Sequence, residues 1–174
     1  MNAFGTGNWD MTGGSDPWYM KRVVDYILAN NAHLIFDADR SYPIGGINPR
    51  PPIFTWSIAV VATLLEPFFS NGDAVWWAIL SLPAIYGAFT ILPVAYIARE
   101  HVNEKAAVVA AWLIAFMPAH VSHTTWALAD HDAFIMLFIT LGFMFWLRAV
   151  KYAGSERLLR SSSPSALSFI NAFT

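Results

Sequence analysis

Asp130 and Asp132 stand one residue apart at the mouth of an apolar run that extends from Ala133 to Val150. Two carboxylates so close could offer oxygen ligands to a divalent cation, although a D-x-D pair is by itself a weak signal. The same positions suit the first turn of a helix, where acidic side chains satisfy orphan backbone N–H groups and complement the helix dipole. By spacing alone capping is the better reading. Asp16, within Ser15-Asp16-Pro17, has the same alternative, since Asp followed by Pro is a favoured helix start. The histidines offer less. An extended backbone would turn His131 away from its neighbours and expose it. His120 and His123, three apart at a helix exit, could share a face, but no third nitrogen ligand is fixed nearby, so an interfacial role is favoured over zinc.

The elements around these residues belong to a membrane protein. The composition is 56% hydrophobic, 16% aromatic and 13% charged, with a mean hydropathy of +0.45, too apolar for a soluble domain of 174 residues. A net charge of −2 gives no case for nucleic-acid attraction or a polybasic surface anchor. The lack of cysteine removes disulfides, thiolate metal sites and thiol nucleophiles. Oxygen and histidine ligands remain.

Residues 1–15 have neither a basic n-region nor an apolar h-region, so they read as neither a signal peptide nor a first span. A helix is expected from Ser15 to about Asn30, with Trp18, Val23, Val24, Ile27 and Leu28 on one side and the pair Lys21/Asp25 on the other. Its length and mixed faces suit an interface. Turn residues fill Asn31 to Pro52, and four apolar stretches follow: Ile53–Phe69, Ala74–Ala98, Ala106–Val121 and Ala133–Val150. A span needs about 20 residues, which the second stretch satisfies and the others approach. Arg99, Lys105, Arg148, Lys151, Arg157 and Arg160 place their ends of the spans inside the cell, and therefore Ser122 to Asp132 outside. Glu66-Pro67 argues that Ile53–Phe69 lies in the membrane surface, which keeps Asp16 on the same outer face as Asp130 and Asp132.

These residues together resemble the N-terminal region of the oligosaccharyltransferase catalytic subunit, especially its single-subunit archaeal type. The resemblance is carried by Gly14-Ser15-Asp16-Pro17-Trp18-Tyr19, by Tyr42-Pro43-Ile44-Gly45-Gly46 and by Arg50-Pro51-Pro52-Ile53-Phe54. It continues in Pro118, Ser122-His123-Thr124, Ala127 and Asp130-His131-Asp132, which follow the family's second external loop, P-x-x-x-S-R-S-x-x-G-x-x-D-x-D/E. The resemblance implies an all-α membrane protein, a partial GT-C-type helical bundle with about three transmembrane spans. Residues 1–73 would form a first external loop with interfacial helices, residues 74–150 transmembrane helices with a second external loop at 122–132, and residues 151–174 a cytoplasmic polar tail.

The implied reaction is transfer of a glycan from a polyprenyl or dolichyl (pyro)phosphate carrier to Asn of an Asn-x-Ser/Thr sequon. Asp16 and Asp130 would be catalytic, Asp16, Asp130 and Asp132 would bind Mg²⁺ or Mn²⁺, and Asp16 would also engage the acceptor amide. His123 would contact phosphate. The implied partners are the lipid-linked oligosaccharide, an acceptor polypeptide, the bilayer and the remainder of the catalytic subunit. The chain departs from the family at Gly14, often acidic there, at His123, where the family has a permanently charged Arg, and at Ala127, where it has Gly. The family's first transmembrane helix, its later spans and its soluble domain with WWDYG have no counterpart here, and Trp76-Trp77 is no substitute for that motif. The chain alone is therefore expected to be inactive, and Gly154 to Thr174 reads as an abrupt end or an altered reading frame. Two alternatives remain open: another polyprenyl-phosphate-sugar glycosyltransferase of the same superfamily, or a non-catalytic degenerate membrane fragment whose aspartates only cap helices.

Overall fold

The computed structural model describes residue 11, residues 14–69 and residues 73–161, with side chains as far as Ala153. Most of the expectation for residues 1–15, and the tail from residue 162 onward, lie outside the described residues. The elements are α1 (Ser15–Asn30), β1 (Phe36–Asp37), β2 (Gly46–Ile47), α2 (Pro52–Leu65), a 3-10 turn (Glu66–Phe68), α3 (Asp73–His101), α4 (Glu104–Phe116), α5 (Pro118–His123) and α6 (Asp132–Ser161).

α1 forms because Met20, Val23, Val24 and Ile27 recur at helical spacing and bury one face. Lys21 and Asp25 pair at 2.6 Å on the opposite face. Asn31, with φ of 51°, ends the helix by donating its N–H to the Ile27 carbonyl. α2 starts on Pro52, whose fixed φ suits a first helical position. It buries Phe54, Thr55, Ile58, Ala59 and Ala62. Its other face carries Ile53, Trp56, Val60 and Leu64, all exposed and spaced by three or four residues. At 14 residues it is about 21 Å long, short of the roughly 30 Å hydrocarbon core of a bilayer.

α3 is the axis of the molecule, and its two halves have different neighbours. The first half buries Ala74, Ala78, Ile79, Leu80, Leu82 and Pro83. α2 runs antiparallel along it, with Ser57 accepting a 2.8 Å hydrogen bond from the Tyr86 hydroxyl at one end and Ala62 near Ala74 at the other. Trp76 meets Trp18 of α1 edge to face at 5.7 Å, and Trp77 meets Trp126 of the second loop at 5.7 Å. The tryptophan pair thus ties both loops to one helix. The second half of α3 exposes Ile85, Phe89, Leu92 and Tyr96. α4 returns antiparallel beside it and α6 runs parallel to it, with Phe134 5.4 Å from Tyr86 and Arg148 5.3 Å from Tyr96.

α3 and α6 are both long and apolar enough to cross a membrane. Exposed Trp112, Leu113 and Phe116 on α4, and Phe138, Phe143 and Trp146 on α6, form an outward apolar surface that suits lipid. The fold is that of an all-α membrane protein. The expected span from Ala106 to Val121 is divided: α4 has 13 residues and α5 has 6. Pro118 causes the break, because proline offers no N–H to the helical ladder and leaves Met117 extended, with ψ of 119°. The strands, absent from the sequence expectation, pair Phe36 with Ile47 and Asp37 with Gly46.

Candidate functional site

The loop that carries Asp130 and Asp132 is fixed to α3 at three points. His120, buried in α5, places Nε2 3.1 Å from the Gly87 carbonyl oxygen. Thr124 then occupies the space that Gly87 leaves, since a Cβ at Gly87 would approach the Thr124 Cβ to 2.4 Å. Finally, the Ala127 N–H donates to the Leu80 carbonyl at 3.1 Å. Pro83 loosens this turn of α3 by removing the donor for Ile79, and the loop enters at the next carbonyl. Ala127 adopts φ of 70°, a left-handed conformation in which a Cβ is strained.

Beyond Ala127 the chain turns, with the Asp130 N–H donating to the Leu128 carbonyl at 2.8 Å. This turn corrects the expectation for His131. The backbone is not extended, and the imidazole comes back beside its neighbours, with 29% of the side chain exposed. One ligand atom each of Asp130, His131 and Asp132 lie within 4.8 Å of one another. His131 Nδ1 is 2.6 Å from Asp130 Oδ1 but is not aligned for a hydrogen bond and has no hydrogen-bond partner among the described residues. Asp130 Oδ1 also accepts the His131 N–H at 2.7 Å, so part of the capping role is real. Asp132 opens α6, where its charge complements the helix dipole, and its Oδ2 lies 2.8 Å from His123 Nδ1. Two carboxylates and an imidazole that converge, half-buried, are a donor set that fits a divalent cation, and the nitrogen favours Mn²⁺ over Mg²⁺.

Asp16 is placed differently. Gly14 precedes α1 with φ of 78° and no side chain caps that end. The Asp16 carboxylate, 57% exposed, instead meets the guanidinium of Arg50, 34 residues later. Arg50 is held against the Tyr19 ring at 4.8 Å, and its N–H donates to Asn48 Oδ1 at 3.2 Å. Asp16 is not in the three-residue cluster. It does lie at the same end of the molecule, because Arg50 leads into α2, whose Phe54 ring sits 5.9 Å from Phe134 of α6.

Asp37 and Asp39, within the turn-rich stretch from Asn31 to Pro52, form another acidic pair. Arg22 grips Asp37 with two bonds of 2.9 Å and reaches Asp39 at 2.6 Å. The Arg22 hydrogen bonds hold the buried Asp37 below the ordinary carboxylate range, against its burial, which pushes the other way. The same bonds hold Arg22 above its usual value. Sequence reasoning missed Arg50 and this clasp, although an arginine set among Asn48, Pro49, Pro51 and Pro52 already marked a rigid, charged turn.

Comparison with known proteins extends this picture. The family model "Oligosaccharyl transferase STT3, N-terminal" matches residues 4–173. Over 107 residues, 61% of the chain, 34% are identical to dolichyl-phosphooligosaccharide-protein glycotransferase 3 of Archaeoglobus fulgidus, and the match covers 12% of that relative. The STT3 subunit of the dolichyl-diphosphooligosaccharide–protein glycosyltransferase of Saccharomyces cerevisiae is 25% identical over 158 residues, 78% of this chain and 20% of the relative. The apo crystal structure of the A. fulgidus oligosaccharyltransferase superposes with a TM-score of 0.74 at 27% identity, covering 82% of this chain and 17% of that one. The chain thus spans about a fifth or less of the proteins it resembles.

Proposed function

The chain belongs to the oligosaccharyltransferase STT3 family, and on that premise we propose that its two loops build the N-terminal part of a metal-dependent glycan-transfer site. The reaction is transfer of an oligosaccharide from a polyprenyl- or dolichyl-linked (pyro)phosphate to the Asn amide of an Asn-x-Ser/Thr acceptor. The observation that carries the reading is the convergence of Asp130, His131 and Asp132 within 4.8 Å on a loop locked to α3.

Asp130 and Asp132 would hold the ion, Mn²⁺ or Mg²⁺, with His131 as a further donor. Asp16 would complete the set and engage the acceptor amide if Arg50 released it, since a guanidinium and a metal would compete for one carboxylate. Bound there, the ion would stabilise negative charge on the leaving phosphate as a Lewis acid. Asp16 and Asp130 orient a weakly nucleophilic amide, and positioning of this kind supplies much of the barrier reduction when no side-chain nucleophile takes part. His123, on the outer side of Asp132, meets the phosphate when protonated, a weaker contact than a permanent guanidinium makes. Arg99, Arg148 and Lys151 gather at the opposite end of the bundle, with Lys105 beside them in sequence, which supports a cytoplasmic position for that end and an outer position for both loops. α2, with its exposed apolar stripe, lies along the outer membrane surface. The remainder of the catalytic subunit supplies the rest of the site, so this chain alone transfers nothing.

The test is to join the chain to the remaining sequence of an A. fulgidus relative and follow Mn²⁺-dependent glycosylation of an Asn-x-Ser/Thr peptide. Asp130→Ala or Asp16→Ala is expected to abolish transfer, and unchanged transfer would leave helix capping as the role of these residues. Cysteines placed at residues 16 and 130 are expected to react with an impermeant maleimide from the same side of the membrane. Labelling from opposite sides would end the shared-site reading.

A further inference from the structure

A second polar site lies at the other end of α3, where no part of the transfer chemistry reaches. Tyr96, Arg99, Glu100, Arg148 and Tyr152 line a cavity of about 350 Å³ between α3 and α6. The Arg148 guanidinium is flanked by the Tyr96 ring at 5.3 Å and the Tyr152 ring at 5.9 Å. Its Nε lies 3.4 Å from Glu100 Oε2, and that oxygen is buried without a hydrogen-bond partner. Lys151 donates to the Glu100 carbonyl at 3.0 Å and stands 3.6 Å from Glu100 Oε1. Arg99 reaches outward to Glu104 at 3.0 Å.

Three cations, Arg99, Arg148 and Lys151, thus share two carboxylates, Glu100 and Glu104. The cluster keeps one positive charge, and Lys105 adds another at the same end. A net charge of −2 for the whole chain conceals this concentration. The surroundings are equally selective. One turn before Tyr96 is exposed Leu92, and three residues before Arg148 is exposed Phe145, so apolar surface runs directly from the cavity along both helices. Tyrosines at the boundary of an apolar surface, with arginine and lysine just beyond, mark the headgroup level of a bilayer. A ligand that fits has one negative charge, hydrogen-bond acceptors for Arg148 and Lys151, and an apolar tail that continues past Leu92 and Phe145.

We propose that this cavity holds the phosphodiester headgroup of an anionic membrane lipid. Arg148 is preset between the two rings to receive a phosphate oxygen, Lys151 and Arg99 close the rim, and Glu100 sets the strength by competing for the same cations. The site is independent of the transfer reaction and needs only the apolar helices of this chain.

The experiment is native mass spectrometry of the purified full chain with phosphatidylglycerol, phosphatidylcholine or inorganic phosphate added separately, while circular dichroism confirms helix content. Phosphatidylglycerol is expected to be retained over phosphatidylcholine, and millimolar phosphate is expected not to displace it. Arg99→Gln and Lys151→Gln, both at exposed positions, should each weaken retention by about fivefold. Glu100→Gln should strengthen it, whereas a purely structural ion pair would give weaker helix packing and no gain in lipid. Equal retention of the two lipids, displacement by phosphate alone, or a loss of phosphatidylglycerol in Glu100→Gln would overturn the proposal.

Discussion

Asp37-Ala38-Asp39 and Asp130-His131-Asp132 share one spacing, but the first closes on Arg22 and the second on imidazoles. A guanidinium is always charged and grips a carboxylate with two parallel bonds, so the first pair is committed to holding the hairpin against α1. An imidazole is charged only when protonated and, when neutral, can itself be a ligand. The second pair therefore has imidazole nitrogens beside it where the first has a fixed positive charge, and the proposed metal site rests on that difference. The partner, supplied from elsewhere in the chain, decides what two carboxylates do.

The contrast can be broken most directly with metal. Asp130→Ala should lower the affinity of the chain for Mn²⁺ by about 100-fold, at least the upper range of what losing an outer-shell partner costs, while Asp37→Asn should change it by less than about twofold. Electron paramagnetic resonance of Mn²⁺ titrated into the two variants reads both numbers, and equal losses would erase the distinction. On stability the order reverses. Asp37→Asn should cost about 2 kcal/mol, because Arg22 loses its charged acceptor at a buried position, and hydrogen exchange at the hairpin amides reports it. Asp130→Asn should cost less, since an amide oxygen still accepts the His131 N–H. Acid should reproduce the first effect: with its folded value depressed, Asp37 contributes fully above pH about 4 and loses that contribution as the pH falls through its lowered value. Hairpin protection that persists unchanged into stronger acid would show that the clasp contributes little.

Two smaller effects sharpen the same comparison. Ala127→Gly should stabilise the second loop by about 0.5–1 kcal/mol, the relief of a left-handed alanine less the added freedom of glycine in the unfolded chain. Chemical denaturation of the two proteins measures it, and a destabilised variant would mean that the alanine methyl packs better than its backbone suffers. Arg50→Gln should raise Mn²⁺ affinity by up to about fivefold, by freeing Asp16 from an exposed ion pair. No change would place Asp16 outside the metal site in this chain.

Much of this architecture was legible in the sequence because it rests on local patterns. α1 occupies Ser15–Asn30 as its apolar spacing predicts, although Asp16 pairs with Arg50 and caps nothing, and the longest apolar stretch became α3 despite Pro83 and Pro93. What escaped depends on partners distant along the chain. Arg22 and Asp37 are 15 residues apart and Asp16 and Arg50 are 34 apart, beyond the reach of any periodicity. Two-residue strands carry no alternation to detect. His131 comes back beside its neighbours for a local reason: the Asp130–Leu128 turn reverses the backbone that spacing alone takes as extended. His123, offered as a phosphate contact, lies with its Nδ1 2.8 Å from Asp132 Oδ2.

The hydrogen bond from Ala127 to Leu80 also governs how this chain can change length. Between His120, anchored at Gly87, and Ala127, anchored at Leu80, the residues fill a fixed gap, so a single insertion or deletion there would lift the acidic pair off its support. Tyr42 and Ile44, at the tip of the first loop, are 82% and 85% exposed and lie beyond the Arg22 clasp. Added residues at that tip would leave both anchors where they are. Relatives and engineered variants should therefore differ in length at the first loop and keep the second to the residue.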